Sequence, residues 1–285
     1  MDLYETLLIS KPNNQPALFI KFRTLLIRAA LFVGFMVLWI WLFSGNPWKS
    51  WKQADCVDFF CEYSVGAGNV QQPSNAFSGL IFIWVALWLL FHVEICDAEF
   101  AQAQGAIWLL LAFVLILRTA GSFFYHATET LSGERLDSVS AVLLVAFLST
   151  FSFVRLYIVL FGQDKFELRH YIFLMIVIPQ FIFIFILHIF LNHSCGTSWF
   201  LIGIYIFAIF AFEFILAFKQ WQWPSFKLKF AGGVFLLALV FWIIDNKYWY
   251  CNPLGLFQGH ALFHILSAVA LRLLIGVFLK WDSDC

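Results

Sequence analysis

Eight apolar stretches of about twenty residues run through the chain, and no other feature narrows its fold as far. They lie near 24–43, 75–95, 105–126, 137–161, 170–191, 198–218, 228–244 and 260–280. At about 1.5 Å of rise per residue, such a helix crosses a hydrocarbon layer roughly 30 Å thick. The stretch 228–244 is the shortest and starts among Lys227 and Lys229. Composition points the same way: 62% of the 285 residues are hydrophobic and 12% are charged. Soluble domains are nearer half apolar and a quarter charged. A water-soluble fold of this length has no interior large enough for so much apolar surface, so lipid is the solvent. The 37 Phe and 13 Trp suit lipid-facing and interfacial positions. The zero net charge excludes the basic footprint of a nucleic-acid binder. The fold class expected is all-α: a polytopic membrane helix bundle, with no soluble domain between the spans and no internal repeat.

Loop cations set the expected orientation. With the N-terminus inside, the inner segments hold Lys11, Lys21, Arg23, Lys165, Arg169, Lys219, Lys227, Lys229 and Lys280. The outer ones hold Lys49, Lys52, Arg135 and Lys247. The excess places both termini in the cytoplasm. Met1 to Arg23 is polar, and the first apolar run starts too late to read as a signal peptide. Cys56, Cys61, Cys195 and Cys251 then fall on the outer, oxidising face, with Cys96 and Cys285 inside. Four thiols on that face allow up to two disulfides, and spacing leaves their pairing open. The outer segment 44–74 carries Trp48, Trp51, Asp55, Asp58, Phe59, Phe60 and Glu62. It reads as an interfacial amphipathic piece lying over the helix ends.

Three outer helix ends carry the chemistry. Arg118, Ser122 and His126 recur every fourth residue at the end of the third span, so they share one face. Such a stripe is costly in lipid unless it faces a polar cavity or partners. His260 and His264 open the last span at i and i+4, the spacing by which one helix offers two nitrogens to one metal. Asp137 lies where the fourth span enters the lipid. The topology brings all of these to one membrane face. Three histidines with an open fourth position describe a catalytic zinc site, whose bound water ionises at a pH near about 7. Ala261 stands where a His-Glu-x-x-His protease has its Glu, so the base must come from another element, and Asp137 is the candidate. Ser122, one turn deeper than His126, is placed to donate to a developing oxyanion. Two histidines on one helix cannot take opposite axial faces of a haem iron. His92, His170, His188 and His193 are assigned no role, and Glu213 and Arg155 read as a packing pair or as cavity-lining groups. Two readings without turnover stay open beside hydrolysis: a zinc-containing membrane receptor or transporter, and a purely structural zinc.

Ser122-x-x-x-His126, Asp137 eleven residues later, and His260-x-x-x-His264 together resemble the alkaline ceramidase family. That family sits in a wider group of seven-span membrane hydrolases with adiponectin-receptor-like proteins and GPI-lipid remodelling factors. Cys61-Glu62 followed by Ser74-Asn75, Asp245-Asn246 with Cys251, and the run from His260 to Leu266 agree with its pattern. The resemblance covers about residues 56–280. It implies a ceramidase-like seven-helix domain over 56–285; the N-terminal segment, 1–55, departs from that pattern by carrying one extra transmembrane helix at 24–43. It implies Zn2+ held by His126, His260 and His264, with Asp137 as the water-orienting base and Ser122 as the oxyanion or water contact. It implies a disulfide between Cys61 and Cys251. The activity implied is hydrolysis of the amide bond of ceramide-like N-acyl sphingoid lipids, at the periplasmic or luminal face. A related lipid amidase or esterase is the alternative within the same group. Animal members also bind calcium through acids and an Asn in the N-terminal stretch. Here Glu62 is present, but Ser64 stands at the Asn position and no acid follows in Gly66–Gln72, which argues against a calcium site of that kind.

Overall fold

A computed structural model describes residues 50–54, 60–64, 70–95, 105–161, 166–190, 195–219 and 226–282. The expected span at 24–43 lies outside the described residues, as do Trp48, Asp55, Cys56, Asp58, Phe59, Cys96 and Cys285. Eight helices follow one another: α1 Pro73–Gly79, α2 Ile81–Ile95, α3 Gly105–Thr128, α4 Leu131–Phe161, α5 Phe166–Phe190, α6 Cys195–Lys219, α7 Phe226–Asn246 and α8 Gly259–Asp282. α1 and α2 share one span, so the described residues contain seven helices long and apolar enough to cross a membrane. The remaining seven of the expected spans are therefore present, as a polytopic helical bundle.

Two boundaries moved for physical reasons. α4 begins at Leu131 rather than at Asp137, because its first turn is closed by backbone bonds from Leu131 N to Lys52 O and from Glu134 N to Thr130 O. At 31 residues, or roughly 46 Å, it exceeds the hydrocarbon layer, so its charged first turns extend beyond the apolar depth. α1 begins at Pro73, whose missing N–H and fixed φ suit a first helical turn. Gln72 gives no side-chain cap. The Glu62 carboxylate serves instead, accepting from Ser74 N at 2.7 Å and Asn75 N at 2.8 Å.

The bundle is built around α4. About 78% of its most apolar window is buried inside the protein, against 17% for α6 and for α7. α3, α5 and α6 pack on α4, while α8 packs on α7, α1 and α2. Lipid tails are as apolar as Leu, so close packing rather than transfer from water holds these contacts. Trp108, Phe147, Phe151, Phe173 and Phe278 interlock between the helices, with Phe151 stacked on Phe278 at 4.8 Å. α6 and α7 carry Phe200, Phe218, Phe226, Phe230 and Leu237 outward, the side chains of a lipid-facing wall. One glycine is required where α3 meets α4. A Cβ on Gly121 would stand 2.8 Å from Leu136 O and 3.0 Å from Asp137 Cα. That close approach brings Asp137 against the polar stripe of α3.

Beyond the helix ends, the segment before α1 folds over the α3–α4 corner. Gln71 N and Gln72 N donate to Ala127 O and His126 O, two carbonyls that the end of α3 leaves unpaired. Gln53 bridges Thr130, and Ala54 N donates to Glu129 O. Cys61 is disulfide-bonded to Cys251 in the α7–α8 connection, with Cα atoms 5.5 Å apart. Cys61 N also donates to Asp245 Oδ2 at 3.1 Å. Opposite ends of the described chain thus meet over one face of the bundle.

Candidate metal centre

His126 comes from the last turn of α3, and His260 and His264 come from the first two turns of α8. The i, i+4 pair projects to one side, and the packing of α8 on α1 carries it to the end of α3. Ring centroids lie 4.9 Å apart for His126 and His260, 5.5 Å for His126 and His264, and 4.5 Å for His260 and His264. One nitrogen from each falls within 4.8 Å of the other two, and all three residues are buried. The sequence placed these three imidazoles together, and they are together.

The polar partners around the rings test whether the set suits a metal. Ser78 Oγ lies 2.9 Å from His264 Nδ1, and its hydroxyl proton is directed to Asn75 O at 2.9 Å. The hydroxyl therefore accepts from Nδ1–H, and Nε2 of His264 keeps its lone pair. His126 Nδ1 lies 2.7 Å from Gln72 Oε1, an acceptor, which leaves its Nε2 bare as well. His260 Nδ1 is buried without a hydrogen-bond partner. One nitrogen from each of three buried imidazoles, two of the rings held at Nδ1 by polar partners, forms a cluster that could hold a metal ion.

Of the other predicted residues, Ser122 sits beside the imidazoles, with Oγ 3.4 Å from His264 Nε2. It is fully buried, and the helix opposite it is close enough that a Cβ on Gly79 would stand 2.6 Å from Ser122 Oγ. Asp137 is not among the clustered ligand atoms. Its carboxylate is ion-paired with Arg118, one turn deeper than Ser122 on α3, and both residues line the same cavity as His260. Arg155 and Glu213 form a buried pair far from this face, Nη1 reaching the two carboxylate oxygens at 2.7 and 2.9 Å. Glu213 also lines the cavity, so it is both a packing partner and a lining group. His188 is buried with Ile184 O and Ser198 Oγ as its neighbours, and His92 stacks on Trp88. Neither joins the cluster.

The cavity has a volume of about 1430 Å³ and runs between α4, α6, α7 and α8. On α7 it is bounded from Leu228 to Asn246, roughly 27 Å of helix, close to a hydrocarbon thickness. Small-ligand pockets are commonly about 300–1,000 Å³. This one is larger, apolar along Leu148, Ile206, Phe210 and Leu239, and polar at the end formed by Arg118, Asp137 and His260.

Several neighbours were not assigned to the centre from sequence. Phe60 packs against the centre, its ring 5.0 Å from that of His126 and 4.3 Å from that of His260, and it lines the cavity as well. It belongs to the segment read as lying over the helix ends. Gln72, Ser78 and Glu129 are the others. Glu62 is committed to capping α1, and burial pushes its carboxyl above the ordinary value while the Asn75 and Ser74 N–H groups oppose the shift. The chain matches no protein-family model, and no curated protein matches it.

Proposed function

We propose that this protein is a zinc-dependent intramembrane amidase that cleaves ceramide-like N-acyl sphingoid lipids to a fatty acid and a sphingoid base. One observation carries the reading: three buried imidazoles converge, and one of them, His260, lines the polar end of an apolar cavity of membrane depth. The resemblance of Ser122, His126, Asp137, His260 and His264 to the alkaline ceramidase pattern supports it. His126, His260 and His264 would hold the zinc, which supplies a Lewis acid and an acidified water when bound.

The remaining chemistry falls to the chain's own groups. The cavity wall takes the hydrocarbon tail and leaves the amide at the polar end. Arg118 holds the Asp137 carboxylate in place, and Asp137 accepts the proton of the attacking water. Oxygen attacks the carbonyl carbon, and Ser122 Oγ–H donates to the carbonyl oxygen as charge grows there. Asp137 then returns its proton to the amide nitrogen, and the C–N bond breaks to give carboxylic acid and free amine. Phe60 screens the site from bulk water. The loop cations and the Cys61–Cys251 bond support an extracytoplasmic site face with both termini inside. The commitment of Glu62 to the α1 backbone supports a site that works without calcium.

The test is metal content measured together with fatty acid released from a panel of ceramides, simple N-acyl lipids and lipid esters. Zinc near one equivalent with release from ceramides is expected. Preferential release from esters would move the substrate class, and zinc without release from any lipid would overturn the enzymatic reading.

A further inference from the structure

Glu129 has a backbone and a burial that its position does not explain. It follows the last residue of α3 with φ 51°, a left-handed conformation that Gly or Asn adopts at lower cost. It is 5% exposed. Its carboxylate accepts from Ser64 Oγ at 2.7 Å through one oxygen and from Gln72 Nε2 at 2.8 Å through the other. Gln72, 1% exposed, stands between Glu129 and His126.

The hydrogen-bonding capacities of these groups leave one arrangement. A carboxylate only accepts, so the end of the Gln72 amide that faces Glu129 is the NH2 group. The opposite end is then the carbonyl oxygen, which also only accepts. His126 Nδ1, 2.7 Å from that oxygen, must carry a proton. An imidazole protonated at Nδ1 and neutral overall presents a bare Nε2. Asn75 Nδ2, donating to the same Gln72 oxygen at 3.3 Å, agrees with this polarity.

We propose that Glu129 acts through Gln72 as a positioning residue for the metal centre: it fixes the orientation of the Gln72 amide and thereby the ligating tautomer of His126. A neutral amide at position 72 has two orientations, and without a carboxylate behind it either is open. In the reversed one the NH2 group faces His126 and selects the tautomer with Nε2 protonated, which cannot bind zinc through that nitrogen. The strained backbone at 129 is retained because a residue without an acceptor side chain there leaves the amide unset. The inference rests on the zinc reading of the three histidines and extends it to two residues that would not touch the metal.

The experiment compares wild type, Glu129→Gln and the exchanged pair Gln72→Glu/Glu129→Gln as full-length, detergent-purified protein. Zinc affinity is read by competition with a chelator, and thermal unfolding is read on the zinc-free form. E129Q places two reversible amides in series and is expected to bind zinc about 10–100-fold more weakly, the usual cost of losing a partner behind a ligand. The exchanged pair restores an obligate acceptor against His126 and is expected to recover most of that affinity. The ring nitrogens of His126 give a readout independent of affinity: 15N shifts of the zinc-free wild type should report the Nδ1–H form, and those of E129Q a mixture. Wild-type zinc affinity in E129Q, or an exchanged pair no tighter than E129Q, overturns the relay while leaving the metal centre intact. A wild type that binds no zinc overturns the metal reading itself and the relay with it.

Discussion

Arg118 on α3 and Asp137 on α4 are ion-paired at the polar end of the cavity, nineteen positions apart in the chain and brought together where Gly121 lets the two helices touch. The pair is mostly buried, with side-chain exposures of 9% and 21%. Removing one partner of a buried pair leaves the other charge uncompensated, at a cost of about 3–5 kcal/mol in a fully buried setting and less here, where Asp137 is partly open. Asp137→Asn keeps an acceptor for Arg118 while losing the base. It should therefore retain the zinc content of the wild type, melt somewhat lower because the Arg118 charge is left uncompensated, and lose at least about 100-fold in fatty-acid release. Full activity in this variant would sink the assignment of Asp137 as base.

The Cys61–Cys251 bond closes a loop of 190 residues and ties the segment carrying Phe60 and Glu62 to the α7–α8 connection. Disulfides commonly contribute about 2–4 kcal/mol, largely through the unfolded state. Cys251→Ser should lower the unfolding midpoint, measured with and without reductant. Reductant should shift the wild type toward the variant and leave the variant unmoved. Because the same segment supplies Phe60 over two of the three imidazoles, the variant should also exchange zinc with a chelator faster than wild type.

Spans and histidines were legible in the sequence because both follow from periodicity. Apolar runs of bilayer length define the helices, and i, i+4 spacing puts His260 and His264 on one side. Antiparallel neighbours then deliver His126 to the same face. The start of α4 was only partly legible, since the fourth span reads as opening with Glu134, Arg135 and Asp137. Long-range bonds to Lys52 carry the helix past them. Gln72, Ser78 and Glu129 were also invisible. They are ordinary polar residues beside a proline or a helix end, and their meaning comes from contacts 54 and 186 positions away for Gln72 with His126 and Ser78 with His264. The Arg118–Asp137 pair lay between these cases: both residues had been marked, but only the packing at Gly121 shows that they meet.

Glu62 sets a pH dependence with a definite sign. Burial raises its carboxyl above the ordinary value of 4.5, with the Asp245 charge adding to the shift. A raised folded-state value means that the folded protein holds the proton more tightly than the unfolded chain. The stability this proton contributes is present below the ordinary value and is lost as pH rises through the raised one. Glu62→Gln keeps an acceptor for the α1 backbone and removes the titration. Unfolding of zinc-free wild type and variant, followed from about pH 4 to about pH 8, should show a decline in wild type relative to E62Q across that window. Parallel curves would show that Glu62 does not carry the effect.

The cavity yields a prediction that separates lipid accommodation from metal binding. Gly203 on α6 lines it, and a Cβ there meets nothing within 4 Å. A phenylalanine at this position has open space at its Cβ, and it replaces the poorest helix former short of proline. Gly203→Phe should therefore leave zinc content and melting temperature at or slightly above wild type. It should narrow the apolar path away from the polar end, so long-acyl ceramides lose turnover while short-acyl ones keep it. The ratio of rates for the two chain lengths is the measurement. An equal loss for both would mean that the tail does not lie along α6. An unchanged ratio with full activity would place the hydrocarbon outside this cavity altogether.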